Sequence, residues 1–314
     1  MKKYLNLLFL LLIPCFHGIA QQMTFTPQWT AQSQFAGYYA ALENGYYAEA
    51  GLDVSIEHPT PSYSSLNMLK DGTSDIITSE LIQAMMAANE NLRLVNLMQT
   101  TQHSTLVLVA RAQNVKELAD VAGCRIGTWK IGFSEIPHMI DEEQFLDIEW
   151  IKLTNPLNLY IAGAIDATLA KSYNELILFS MAGIKPGSIL HFSECGYDFP
   201  EDGLYVTEEY YKKNKVQCHL FAEASRKGWE WVRNNRAEAL DIVMKYVKEA
   251  NVPTNRYNQK WMLEAILEAQ EDVKGGEPSY RLDEDAFNQL NEALKKYGYI
   301  ARSAIYERFT GENL

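Results

Sequence analysis

The side chains best suited to chemistry recur at one kind of place, the carboxyl end of an expected strand. Trp29, followed by Gln34 and by Tyr38 or Tyr39, closes the first such strand, and Ser79 and Glu80 stand beyond another. In the second part of the chain Trp129, and later Tyr173, Asn174 and Glu175, hold the same position, and Asp202 precedes a returning strand. Ligands of open α/β sheets bind beyond strand carboxyl ends. Indole and phenol rings can sandwich a flat heterocycle there, and carboxylates can accept hydrogen bonds from its exocyclic amines. Leaving such donors buried without partners costs roughly 1–3 kcal/mol each, so this inventory supplies specificity as well as affinity. The chemistry expected is non-covalent capture. Plainer roles stand beside it. Phe35, Tyr38 and Leu42 have the spacing of a buried helix face, Asn174 and Glu175 can cap the helix that follows them, and Asp202 can be a turn acid before Gly203.

Patterns for bond-breaking chemistry are missing. Gly132-Phe133-Ser134-Glu135-Ile136 fails the nucleophile-elbow pattern at its last position, and no phosphate-binding loop, dinucleotide fingerprint or His-Glu-x-x-His occurs. His58, His103, His138, His191 and His219 are dispersed without metal spacing, so neither a metal nor a cofactor is expected. His103 is of interest only because it lies beside an expected hinge. Cys124, Cys195 and Cys218 are too few for a disulfide framework; one pair could bridge, and at least one should be a small buried hydrophobe.

The first twenty residues read as a cleavable export signal: Lys2 and Lys3, an apolar run over 5–13 too short to span a bilayer, and small residues at Gly18 and Ala20. Cys15 leaves a lipid anchor as an alternative, with Pro14 where such signals carry a small residue. Removing the leader takes the formal charge from −12 to −14. So acidic a body disfavours nucleic acid and polyanionic cargo and accepts a neutral or amine-bearing ligand more easily.

Two α/β lobes must position these residues. Strands and helices alternate from residue 21 to 98, as in a parallel sheet with covering helices. Ser62 is expected to cap a helix ending at Lys70, and helix ends fall at Gly45 and Gly51. A β-branched run over 104–111 is the crossover into a second lobe, which opens with a cap at Asn114 and a helix ending at Gly123. Strands are expected over 124–129, 148–153, 166–170 and 188–192, and Pro156 should open a helix. The chain returns through a loop over 193–202 and a strand over 203–207. It ends in amphipathic helices over 221–234, 236–249, 255–272 and 283–297. Residues 21–104 and 205–314 thus form one lobe and 105–204 the other, joined by two extended segments that let them close on a ligand. Trp229 and Trp231 are given no site role.

The opening Trp29…Gln34-Phe35-Ala36-Gly37-Tyr38-Tyr39-Ala40…Gly45-Tyr46-Tyr47…Ala50-Gly51-Leu52-Asp53-Val54 resembles the solute-binding proteins related to yeast thiamine-pyrimidine synthase. The resemblance covers most of the chain, from Phe25 to about Asn251. It implies the type II periplasmic binding fold, two open α/β domains joined by a two-segment hinge. It also implies an exported monomer that captures a pyrimidine precursor of thiamine and hands it to an ABC permease. Tyr173-Asn174-Glu175 resembles an element at this point of the second lobe and implies that Tyr173 or Glu175 faces the ligand. Riboflavin, a sulfonate or another nitrogen heterocycle are alternative cargoes. Enzymatic relatives that use pyridoxal phosphate carry a cysteine-dense motif that this chain lacks.

Overall fold

The computed structural model describes residues 21–60, 62–129, 134–153 and 156–314. The expected leader, with Cys15, and residues 130–133 of the loop after Trp129 lie outside the described residues. Two five-stranded mixed sheets carry the chain. The first contains β1 (Gln21–Thr26), β2 (Leu52–Ile56), β3 (Ile76–Glu80), β4 (Leu94–Gln99) and the returning β10 (Asp202–Thr207), in the order β2-β1-β3-β10-β4. The second contains β5 (Leu106–Ala110), β6 (Arg125–Trp129), β7 (Glu149–Leu153), β8 (Ala167–Lys171) and β9 (Ser188–His191), in the order β7-β6-β8-β5-β9.

Each sheet repeats one plan. Three parallel strands are followed by an antiparallel one, β10 or β5, that arrives through a crossover from the other lobe. The expected all-parallel first sheet is therefore mixed, because a strand entering from the opposite lobe runs against its neighbours. β10 begins at Asp202, paired with Glu80, so the start of that strand already lies in the first sheet. This topology points the carboxyl ends of β1 and β3, and those of β6 and β8, at the gap between the lobes.

The helices follow from apolar period and caps. In the first lobe α1 (Ala36–Glu43) and α2 (Tyr46–Glu49) are separated by Gly45 in the left-handed region, and α3 (Ser65–Asp71) and α4 (Leu81–Met86) cover β3. Ser64, rather than Ser62, caps α3 by accepting from the Asn67 amide. The second lobe holds α5 (Glu135–Gln144), α6 (Pro156–Ile161) and α7 (Glu175–Met181). The expected helix ending at Gly123 is a short 3-10 turn over Leu118–Val121, with Glu117 and Asp120 forming its capping box in place of Asn114. Beyond β10 come α8 (Glu208–Lys213), α9 (Lys215–Asn234), α10 (Arg236–Glu249), α11 (Arg256–Ala269), α12 (Glu284–Lys296) and α13 (Tyr306–Phe309). Cys124, Cys195 and Cys218 are free thiols, and Cys218 is fully buried. No described helix is long and apolar enough to cross a membrane.

Two of the expected site residues lie in the first-lobe core. Tyr38 packs on Phe25 and Trp229, with its hydroxyl 2.8 Å from Thr100 Oγ1. Tyr39 stacks on Tyr246, ring centroids 4.1 Å apart. Both are buried in the α1, α9 and α10 layer. The helix-face reading made for Phe35, Tyr38 and Leu42 agrees with the burial of Tyr38, and Tyr39 is buried beside it.

Candidate ligand-binding cleft between the lobes

The crossovers between the lobes lie side by side. The His103 ring is 2.6 Å from Asp198, and the Ser104 and Thr105 amides donate to Asp198 and Glu201 at 2.7 and 2.9 Å. The neighbouring Asp198 carboxylate raises the pKa of His103. This pair of segments closes the back of the cleft.

Its mouth is aromatic. Trp29, 49% exposed, stands on the loop after β1, and Trp129 ends β6 on the other lobe. Their rings meet edge to face, centroids 6.4 Å apart. A relay holds the Trp29 loop: Tyr39 Oη lies 2.9 Å from His58 Nε2, and His58 Nδ1 lies 2.6 Å from the Trp29 carbonyl. A carbonyl only accepts, so Nδ1 carries the proton and Nε2 accepts from Tyr39. Burial lowers the pKa of His58 and favours this neutral form. Tyr39 thus reaches the site through His58, a residue that the sequence left among dispersed histidines.

The floor is acid and amide. Asp202 is buried, and its two oxygens accept from Gln34 Nε2 at 2.6 Å and Gln28 Nε2 at 2.8 Å. Its backbone amide donates to Thr101 Oγ1 and its carbonyl accepts from the Thr100 and Thr101 amides. Burial pushes its pKa up to about 6 against the opposing amide bond from Gln34. Asp202 is therefore a fixed anchor that orients two glutamines. Burial raises the pKa of Glu80, at the end of β3, above the usual carboxylate range, even though Lys171 opposes the shift. Ser79 is buried in register with Gly203, and its hydroxyl donates to the Glu80 carbonyl at 3.3 Å.

From the second lobe, Tyr173 reaches across and is buried against the first-lobe core, close to the charges of Asp202, Glu201, Glu80 and Glu175. Glu175 turns back on its own loop, accepting from the Lys171 amide at 2.7 Å and from Asn174 Nδ2 at 3.2 Å. Asn174 occupies the cap position of α7 without capping it. Trp29 meets Trp129 across the lobes, Gln34 and Gln28 bind Asp202, and Tyr173 lies near the charges of Asp202 and Glu80. Tyr38, Ser79, Asn174 and Glu175 make hydrogen bonds within their own lobes.

Two residues at the centre were not singled out by sequence. Lys171 Nζ lies 2.8 Å from both Glu80 and Glu201. A lysine ending an apolar strand reads as a boundary, and Glu201 reads as one more acid in a turn. The signal that could have found them is adjacency to Tyr173 and to Asp202. Among the described residues no cluster of potential metal ligands occurs.

The raised acids make a pH prediction. A carboxyl whose pKa is higher in the folded protein than in the unfolded chain contributes stability at low pH that is lost as pH rises through its folded value. For Asp202 that window runs from about 4 to about 6. Asp202→Asn should therefore unfold with a melting temperature that falls less than that of wild type between pH 4.5 and 7. Thermal scans across that range check it; identical slopes would show that Asp202 carries no such penalty.

The NMT1/THI5-like family pattern matches residues 32–239, roughly two thirds of the chain. Among curated proteins, the formylaminopyrimidine-binding protein of Halalkalibacterium halodurans is 25% identical over 288 residues, covering 89% of this chain and 86% of that one. The riboflavin-binding protein RibY of Chloroflexus aurantiacus is 19% identical over 311 residues, covering 93% and 86%. Among solved structures, the periplasmic aliphatic sulphonate binding protein SsuA of Escherichia coli superposes with a TM-score of 0.67 at 13% identity, covering 94% and 92%, a likeness that speaks for the fold. In sequence pattern and in its paired mixed sheets, the chain belongs to the NMT1/THI5-like family and has the type II periplasmic binding fold.

Proposed function

We propose that this protein is the exported solute-binding component of an ABC importer, and that it captures a flat nitrogen heterocycle by closure of its lobes. A pyrimidine precursor of thiamine is the first choice of cargo. The observation that carries the reading is the pairing of Trp29 and Trp129 from opposite lobes beside a floor of carboxylates and amides. Stacking on both faces of a flat ring needs about 3.5 Å on each side. The two indoles must therefore part and realign around the ligand. Once they do, Glu80 offers acceptors for exocyclic amines.

Lys171 is committed to two carboxylates, which disfavours an anionic cargo such as a sulfonate. The mechanism has no covalent step; binding energy is spent on holding the lobes together around the solute. Similarity to the formylaminopyrimidine-binding protein supports the choice of cargo. The acidic surface and the expected leader support export.

Native mass spectrometry of protein purified from its own cells tests the reading. The expected result is a complex heavier by one small molecule, whose released ligand absorbs in the ultraviolet as a pyrimidine does. A released sulfonate or other anion would refute the cargo.

A further inference from the structure

Between the lobes the structure holds an ion pair of unusual placement. Lys171 belongs to β8 of the second lobe, and its side chain is 4% exposed. Its ammonium sits 2.8 Å from Glu80, on β3 of the first lobe, and 2.8 Å from Glu201, on the returning crossover. Glu201 is itself a node. It accepts from Ser104 Oγ at 3.0 Å and from the Thr105 amide and hydroxyl, and its carbonyl accepts from the first amide of α4 at 2.7 Å. The Lys171–Glu80 contact therefore spans the gap from lobe to lobe, whereas Glu201 lies on the crossover itself.

Among the described residues other ties cross the gap: Tyr173 is buried in the first-lobe core, Met139 of α5 packs into a first-lobe cluster, and Trp29 meets Trp129. Lys296 and Glu143 are more than half exposed, where an ion pair is screened and contributes little. Gln83 to Glu135 is a single amide–carboxylate bond at 2.8 Å. The cavity bordered by Glu80, Lys171 and Glu201 has room for only about 40 Å³. That space is too small for a heterocycle.

We propose that Lys171 is an interlobe latch: it holds the ligand-free protein shut by occupying Glu80, and a ligand enters only when Lys171 releases that carboxylate. A cargo with N–H donors then replaces the ammonium at Glu80, whereas one without donors leaves that buried carboxylate unsatisfied. The latch thereby filters solutes by what they offer Glu80. This proposal rests on the reading that the lobes part to admit a solute, but its test needs no cargo.

Small-angle scattering on the ligand-free protein is the measurement. A compact chain of 314 residues has a radius of gyration of about 20 Å. Wild type should stay near that value, and Lys171→Met should be reproducibly larger. Glu80→Gln removes charge without adding repulsion and should shift the same way by less. It also carries the test if Lys171→Met does not fold. In both variants the tryptophan emission should move toward that of separated, solvated Trp29 and Trp129. Wild type already expanded to the size of the variants, or variants as compact as wild type with unchanged emission, would overturn the latch. Either result would leave the cargo assignment standing.

Discussion

Trp29→Ala is expected to weaken capture of the heterocycle roughly 5- to 150-fold. Stacking a base on an aromatic side chain contributes about 1–3 kcal/mol, and each 1.4 kcal/mol is a factor of ten in Kd. The fold should tolerate the change, because the indole is 49% exposed and its loop is held by its backbone, through the carbonyl that His58 binds. A binding isotherm and a melting curve on the same sample separate the two effects. The melting temperature should stay within a degree or two while Kd rises. Trp29→Phe should recover part of the loss, since a smaller ring still stacks. An unchanged Kd in Trp29→Ala would remove the aromatic mouth from the mechanism.

The second large effect falls in the packing of α1 on α9. α1 and α9 approach so closely that a β-carbon on Gly228 would lie 2.1 Å from the Gly37 carbonyl oxygen and 2.8 Å from Ala41. One on Gly37 would lie 2.2 Å from the Trp229 ring. Neither glycine has positive φ, so the requirement is space. Alanine in a helix interior gains about 1 kcal/mol over glycine. Overpacking a rigid contact costs about 1–3 kcal/mol and occasionally more, and here the obstruction is backbone, which cannot rotate away. Gly228→Ala should therefore be destabilised on balance, by up to roughly 2 kcal/mol, and melt a few degrees, roughly 4 °C, below wild type. A melting temperature at or above that of wild type would show that the two helices can slide apart without cost.

What could be read from sequence follows the range of the physics. α10 spans the residues its apolar period marks, with Leu240, Val243 and Val247 buried. α11 and α12 begin just after Asn255 and Asp283, whose side chains cap them. These are local effects. Strand direction in the sheets is not local: nothing near Asp202 or Leu106 says that β10 and β5 will run against their neighbours. α8 was missed because a six-residue helix over Glu208–Lys213 is too short to show a period, although Thr207 caps it. Strand ends were legible: β3, β6 and β8 end at Glu80, Trp129 and Lys171, at or beside the residues singled out from sequence. Their partners were not, since Gln28 and Gln34 meet Asp202 across more than 160 positions of chain. Tyr38 and Tyr39 show the same limit, because it took Trp229 and Tyr246, from distant helices, to decide that both rings face the core.

Isothermal calorimetry on the ligand-stripped protein tests the central claim most directly, with hydroxymethyl- and formylaminomethyl-aminopyrimidine, thiamine, riboflavin and taurine as the panel. Binding of one aminopyrimidine with Kd at or below about 1 μM, near −8 kcal/mol, and none of taurine is the predicted result. Tight binding of taurine with silence from every pyrimidine would contradict the account, since an acidic floor whose lysine is committed to two carboxylates would then be holding an anion.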